Sequence, residues 1–283
     1  MKGDSRFMRL PKSFWADART IGEAVGYSKR NQDQVGVPTL ESVREKYAER
    51  GLGTQHLHTG NQLTPTGQTL LDYFQYRADV LNQFVQPRLM DSERAKMEFE
   101  RLRSRLKPKC PLPMNKQRGS KKAPAYLTGI VNMLVEANCG AHPCDYEPRR
   151  LTTVTANNAP LRTFARRVDG AFPTVVNPIA IWEVKEYYHT TTFGSRVADG
   201  VYETLLDGME VEELAESEGV HLLHYLMIDS HYTWWKCGRS YLCRIVDMIH
   251  MGFVDEVLFG YETIERLPKL VKQWVKAMNL RER

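Results

Sequence analysis

The chain has 283 residues, 42% of them hydrophobic, and a formal net charge of +5. A chain of this length and composition can bury a substantial core, which excludes an intrinsically disordered protein. No apolar run approaches the roughly 18 to 20 residues that span a bilayer, and the N-terminal residues lack the apolar region of a signal peptide. The sequence therefore predicts a cytoplasmic protein with no membrane contact, and its basic charge is compatible with a polyanionic partner.

Residues 1–90 have the pattern of short helices around a hairpin. A helix is predicted over 18–25, and Thr39 is the expected N-cap of a second helix that stops at Gly51. The polar segment 54–64 has the composition of a hairpin, and a longer helix opens at Pro65. The first part of the chain is thus predicted to be mainly helical.

This order of helix, helix, hairpin and helix resembles the winged-helix DNA-binding modules of bacterial regulators. The resemblance implies that the helix after Thr39 enters a major groove and that the hairpin lies along the DNA backbone. The side chains within reach of DNA would then be Arg44, Lys46 and Arg50. The alternative is an ordinary helical subdomain that packs on the rest of the chain. We expect residues 1–90 to form a winged-helix-like DNA-recognition domain.

Residues 91–123 are predicted to be a charged helix, 91–106, followed by a linker rich in proline. Nine Lys or Arg residues and no Asp or Glu occur from Arg101 to Lys122. Such a run suits contact with phosphates, although a solvated linker has the same composition. The predicted contacts to the DNA backbone are Lys116, Arg118, Lys121 and Lys122.

Residues 124–283 alternate between strand and helix patterns, which predicts an α/β core. A helix is expected first, over 125–138. The predicted strands are 161–168, 179–188, 221–228 and 254–259, and the predicted later helices are 197–206, 240–251 and 267–278.

Asp169 and the segment Glu183-Val184-Lys185 carry the chemistry in this half. Asp169 precedes a glycine at the end of a predicted strand, and Glu183 follows fourteen positions later on the next one. Antiparallel pairing of the two strands would bring the carboxylates together. Because side chains alternate along a strand, Glu183 and Lys185 project from the same side. The alternative for this pair is a cross-strand ion pair on an exposed sheet face.

An Asp at a hairpin followed by Glu-X-Lys on the next strand resembles the PD-(D/E)XK nuclease superfamily, although Val168 stands where the family name has proline. The resemblance implies a restriction-endonuclease-like core, a central mixed sheet flanked by helices. It also implies a Mg²⁺ site formed by Asp169, Glu183 and the carbonyl of Val184. Lys185 would orient or deprotonate the attacking water.

In this family a carboxylate on the preceding helix often completes the site. Glu136 is the first candidate for that position and Glu147 the second. The polar and aromatic loop after the Lys strand supplies three further predicted DNA contacts, Tyr188, His189 and Arg196.

The sequence thus predicts a Mg²⁺-dependent endonuclease that cuts double-stranded DNA, resembling type II restriction enzymes. Cutting both strands needs two sites, so a homodimer is expected. A structure-selective repair or junction-resolving nuclease would use the same metal site. A non-catalytic DNA-binding regulator is the third alternative, and the presence of Asp169, Glu183 and Lys185 together argues against it.

Overall fold

The computed structural model describes residues 1–8, 10–27, 33–60, 62–117, 120–189 and 194–281. Across these segments, every helix is too short or too polar to cross a membrane.

The N-terminal part has the element order that its sequence predicts. It consists of α1 (Lys12–Val25), α2 (Leu40–Glu49), a short hairpin of β1 (His58–Thr59) and β2 (Gln62–Leu63), and α3 (Pro65–Asp79). Thr39 caps α2 as predicted, since its side chain accepts a hydrogen bond from Ser42 N and Ser42 Oγ accepts one from Thr39 N. α3 continues into a π-helical turn, Val80–Val85, and a 3₁₀ turn, Gln86–Arg88.

The segment expected to be a charged helix and a linker is folded throughout its described part. The helix is α4 (Ser92–Leu106), and the linker region contains a hairpin of β3 (Met114–Gln117) and β4 (Ser120–Pro124). Cys110 and Leu112 pack against a buried cluster, and Pro113 O accepts a hydrogen bond from Ala125 N at 2.9 Å. Apolar side chains between the prolines thus hold this stretch against the core.

The remaining elements form a mixed α/β unit, which confirms the predicted fold class at that level. They are α5 (Tyr126–Glu136), β5 (Asp145–Tyr146), β6 (Thr153–Ala156), β7 (Ala159–Thr163), β8 (Gly170–Phe172), β9 (Ala180–Glu186), α6 (Ser195–Glu218), β10 (Leu223–Asp229), α7 (Arg239–Met251), β11 (Glu256–Phe259) and α8 (Glu262–Arg281). A five-stranded sheet has the order β11-β10-β9-β8-β5. β5, β8 and β9 are antiparallel neighbours, whereas β9, β10 and β11 run parallel.

Helices cover both faces of this sheet. On one face Trp182, Tyr225 and Leu258 pack in a cluster with residues of α4, α5 and α8. On the other face Leu226 and Val257 pack in a cluster with residues of α6 and α7. The period of two along each strand therefore separates two cores, and both charged residues of the Glu-X-Lys segment lie on the α6 side.

One predicted strand differs from the structure. The pattern over 161–168 predicts a strand, but β7 ends at Thr163 and pairs with β6 in a separate hairpin. Phe164 and Val168 are buried because they contact a small cluster that includes Ile181. The apolar spacing thus reflects packing onto the sheet face rather than a continued strand.

Residues 1–90 share a core with the α/β unit. Leu81 and Val85 lie in the same buried cluster as Trp234. Arg77 on α3 also forms a buried ion pair with Asp247 on α7, at 2.9 Å. The end of the N-terminal part is therefore built into the sheet-flanking layer.

Candidate active site

Two carboxylates lie together where β8 begins beside β9. Asp169 N donates a hydrogen bond to Glu183 Oε1 at 3.2 Å, and Val184 N donates one to Asp169 Oδ2 at 2.8 Å. The next residue, Gly170, lies under the Trp182 indole, where an added Cβ would come within 2.2 Å of the ring. Asp169 therefore supplies the carboxylate, and the absence of a side chain at Gly170 leaves room for the Trp182 indole.

Glu183 and Lys185 project from the same side of β9, as predicted. The Glu183 side chain is fully buried, and its Oε2 lies 2.7 Å from Lys185 Nζ. The carbonyl of Trp182 faces β8, because it accepts a hydrogen bond from Asp169 N at 3.1 Å. Two residues further along the strand, the Val184 carbonyl faces the same side, towards Asp169.

Helix α6 brings two further carboxylates to this pair. Lys185 Nζ lies 2.9 Å from Glu203 Oε2, so the lysine bridges a strand carboxylate and a helix carboxylate. The helix approaches closely because residue 200 is glycine, where an added Cβ would lie 3.1 Å from Lys185 Cδ. The second carboxylate, Asp207, lies one turn further along α6 and is fully buried.

Arg166 binds three of these carboxylates. Its guanidinium contacts Glu183 at 3.1 Å, Glu203 at 3.3 Å and Asp207 at 2.5 Å. The arginine lies three residues before Asp169, so the chain entering the site supplies both a carboxylate and a cation.

Negative charge exceeds positive charge in this cluster. Four carboxylates, those of Asp169, Glu183, Glu203 and Asp207, surround two cations, Arg166 and Lys185, which leaves an excess of two negative charges when all six groups are ionised.

The pKa values of the carboxylates reflect burial first and the neighbouring charges second. Burial and the charge of Glu183 raise the pKa of Asp169 to about 6 and that of Asp207 to about 7. Burial would also raise the pKa of Glu183, but Lys185 and Arg166 outweigh it, so this pKa is lowered. The cluster holds Glu183 ionised and disfavours full ionisation of its neighbours.

The donor atoms of the cluster are carboxylate oxygens and a backbone carbonyl, which are the ligands that Mg²⁺ prefers. Among the described residues, no three or more His, Cys, Asp or Glu side chains are already arranged around one point as metal ligands. The oxygens of Glu183 instead contact Arg166 and Lys185. The residues fit a divalent cation in two respects: their donor atoms are oxygens, and their carboxylates outnumber the neighbouring cations.

The structure does not bring Glu136 into this cluster. α5 packs on the sheet face of Trp182, opposite to Glu183, and the Glu136 carboxylate accepts hydrogen bonds from Lys109 N at 3.2 and 2.9 Å. Glu147 adjoins Asp169 only through its backbone, since its N–H donates to Asp169 O at 2.9 Å and its side chain is exposed.

The three basic residues predicted to meet DNA from α2 all have partners within the protein. Arg44 donates to His58 Nε2 at 3.0 Å and also to Gly60 O, which ties α2 to the hairpin. Lys46 pairs with Glu49 at 2.7 Å.

The last of the three, Arg50, pairs with Glu23 of α1. Contact with phosphate would therefore replace interactions that already exist.

The remaining predicted DNA contacts fall into three groups. Tyr188 donates its hydroxyl to Asp229 Oδ2 at 2.6 Å and is largely enclosed, whereas His189 and Arg196 are exposed. Arg118 lies outside the described residues, and so do the side chains of Lys116, Lys121 and Lys122.

Sequence reasoning missed Arg166, Glu203 and Asp207 as members of the site. A local signal for the two acids existed, because residues four apart on a helix share one face. Glu210 extends the same stripe by accepting from Ala165 N at 3.1 Å. Acidic residues three or four positions apart on the helix that follows a Glu-X-Lys strand are the pattern that would have indicated Glu203 and Asp207.

Asp229 is the last residue of β10 and lies on the sheet face opposite to Glu183. Its burial leads us to expect that the stability of the protein depends on pH. Asp229 is fully buried and accepts hydrogen bonds from Met90 N, Ser230 N and the Tyr188 hydroxyl. Burial raises its pKa from 3.8 to about 7. Ionisation therefore opposes folding, with the full penalty above about pH 7 and relief as the pH falls towards the unfolded value.

We expect the free energy of unfolding of the wild type, measured relative to Asp229→Asn, to rise as the pH falls from about 8 to about 5. The slope should not exceed about 1.4 kcal/mol per pH unit, the limit for one proton. Urea unfolding of both proteins across this range measures it. Parallel curves for the two proteins would show that Asp229 does not titrate in this window.

Two family comparisons match adjacent parts of the chain. The family described as Domain of unknown function (DUF7687) matches residues 90–274, and the one described as Domain of unknown function (DUF7690) matches residues 1–84. No curated protein and no solved structure matches the chain. Because the first match covers more than half of the chain and includes the whole carboxylate cluster, the protein belongs to the DUF7687 family.

Proposed function

We propose that this protein is a Mg²⁺-dependent endonuclease of the PD-(D/E)XK type that hydrolyses phosphodiester bonds in double-stranded DNA, as type II restriction enzymes do. One observation carries the proposal. Asp169, Glu183 and Lys185 meet at adjacent strands in a buried cluster whose four carboxylates outnumber its two cations, an excess of two negative charges when all six groups are ionised. A cluster held together only by ion pairs gains nothing from such an excess, whereas a divalent cation would neutralise it.

The metal ligands would be the carboxylates of Asp169 and Glu183 and the carbonyl of Val184, with Glu203 the nearest further carboxylate. When bound, Mg²⁺ supplies positive charge to the scissile phosphate and lowers the pKa of water. Lys185 Nζ lies between Glu183 and Glu203, and in this mechanism it would donate a hydrogen bond to the attacking oxygen or to a phosphate oxygen. Arg166, the most exposed of the cluster's cations, is the residue we assign to phosphate contact.

The mixed sheet would be a restriction-endonuclease-like core, and residues 1–90 would form a winged-helix-like module that presents α2 to DNA. Thr39 caps the N-terminus of α2, and the hydrogen bonds of Arg44 join α2 to the hairpin. The helix and the hairpin would therefore contact DNA as one surface. A homodimer would supply the second active site for the second strand.

Incubation of the purified protein with supercoiled plasmid tests the activity. We expect nicked and linear products with Mg²⁺, and none with excess EDTA, because the metal supplies charge that the side chains lack. Ca²⁺ should support DNA binding without cleavage, since its looser coordination does not fix the in-line geometry. Cleavage that persists in EDTA would contradict the metal assignment. Plasmids from hosts with different DNA methylation would show whether the enzyme needs a modified base.

A further inference from the structure

A cleft of about 320 Å³ lies between the N-terminal helices and the α/β unit, away from the carboxylate cluster. α1, α6 and α7 all contribute to its walls, and Tyr27 closes one side. Val201, Leu205 and Met248 supply apolar surface. The volume is at the lower end of the range of about 300 to 1,000 Å³ that small-molecule sites occupy, so it suits a small ligand.

The charges in the cleft favour an anion. Its two acids are neutralised by arginines, because Glu23 pairs with Arg50 and Asp247 pairs with Arg77. Its two arginines have no such partner, since within the described parts of the chain neither Arg19 nor Arg244 forms an ion pair with a carboxylate. Arg244 is partly buried, and a partly desolvated guanidinium without a counter-ion attracts a phosphate or carboxylate.

Aromatic rings hold Arg244 in place at the cleft. Its guanidinium lies 5.5 Å from the centre of the Tyr27 ring and 4.8 Å from that of Tyr241. It also donates a hydrogen bond to the Tyr202 hydroxyl at 2.9 Å. Tyr202 is half exposed, so its ring is open to a ligand. Flat rings beside an arginine form a platform on which a planar base stacks while the cation meets its phosphate.

We infer that this cleft binds one nucleoside monophosphate unit, with its base against Tyr202 and its phosphate near Arg244. The unit could be a free nucleotide or one nucleotide of a DNA strand turned out of its stack, and both present the same base and single phosphate. The cleft is distinct from the cleavage site. Tyr202 and Glu203 are neighbours on α6, but Glu203 contacts Lys185 and Arg166 whereas Tyr202 contacts Arg244.

Calorimetric titration with the four deoxynucleoside 5′-monophosphates, with no divalent metal present, tests free nucleotides. A 2-aminopurine duplex, followed by its fluorescence, tests a nucleotide within DNA. We expect a response in at least one arm. Arg244→Gln should weaken that response by about tenfold or more, the effect of losing one charge-assisted contact to phosphate. Tyr202→Ala should weaken it too, and since Tyr202 is half exposed the variant should fold.

Arg94→Gln is the matched control. Arg94 lies 4.7 Å from the centre of the Tyr261 ring, in the same kind of contact but outside the cleft, so its replacement should change nothing. Responses that are equal in all three variants and the wild type, or no response in either arm, would overturn the inference. Neither experiment requires DNA cleavage, so its result can be interpreted even if the protein is not a nuclease.

Discussion

Glu183→Gln should sharply slow Mg²⁺-dependent DNA cleavage while leaving DNA binding in Ca²⁺ intact. The carboxylate is fully buried and is shared by Arg166 and Lys185, so the amide keeps its size but removes the charge that would hold the metal. We expect the initial rate of plasmid cleavage to fall by about three orders of magnitude, comparable to the loss of one preorganised group in other active sites. Under the proposed function, phosphate contacts elsewhere would supply the affinity, so DNA binding should remain.

A matched control comes from α6. Glu213→Gln alters an exposed carboxylate that pairs with Arg162 at 2.8 Å, outside the cluster, and should cleave at the wild-type rate. Circular dichroism of both variants separates a lost ligand from a lost fold. If Glu183→Gln cleaved as fast as Glu213→Gln, the cluster would not be the catalytic site.

The central pair of the site could be predicted from sequence because it depends on local geometry. Side-chain alternation along one strand puts Glu183 and Lys185 together, and a short antiparallel connection brings Asp169 beside them. Each of these relations spans few residues and needs no knowledge of how helices pack.

The third carboxylate could not be predicted in this way. Glu136 lies on α5, which precedes the strands of the site, and Glu203 lies on α6, which directly follows β9. Both helices pack on the sheet. Which face a helix covers depends on its whole apolar surface and on the direction of the connection. α5 covers the Trp182 face and α6 covers the Glu183 face, so the later helix supplies the acid.

The segment between the two halves shows the same limit. Prolines and a run of bases over 107–123 have the composition of a linker, but Cys110 and Leu112 contact the core and a hairpin follows. Two apolar side chains among prolines leave no periodic pattern to detect. Their burial becomes visible only when α4 and α5 are placed beside each other.

Arg77→Met should destabilise the whole protein by about 3 to 5 kcal/mol, because it leaves Asp247 as an uncompensated buried charge. The side chains of Arg77 and Asp247 are 2% and 4% exposed. The same carboxylate accepts a hydrogen bond from the Tyr73 hydroxyl at 2.5 Å, and the Arg77 guanidinium lies 4.8 Å from the centre of the Phe74 ring. Methionine keeps most of the apolar contact and removes the charge.

The pair also joins two regions that match different families. Arg77 lies in the region 1–84 and Asp247 in the region 90–274. If the two regions unfold together, loss of the ion pair should shift one common unfolding transition to a lower urea concentration. Urea unfolding followed by tryptophan fluorescence and by circular dichroism would report it, with coincident curves for one cooperative unit. Separate transitions, with only one shifted, would show instead that the two regions unfold independently.

The exposed pair Lys46–Glu49 supplies the control for this prediction. Lys46→Met removes a cation from an ion pair of 2.7 Å whose side chains are 33% and 52% exposed. Solvent screens such a pair, so its loss should leave the midpoint of urea unfolding nearly unchanged. The double variant Arg77→Met/Asp247→Asn should be less unstable than the sum of the two single changes, because no buried charge remains without a partner. An additive result would mean that the destabilisation comes from lost packing around Arg77 and not from the stranded carboxylate.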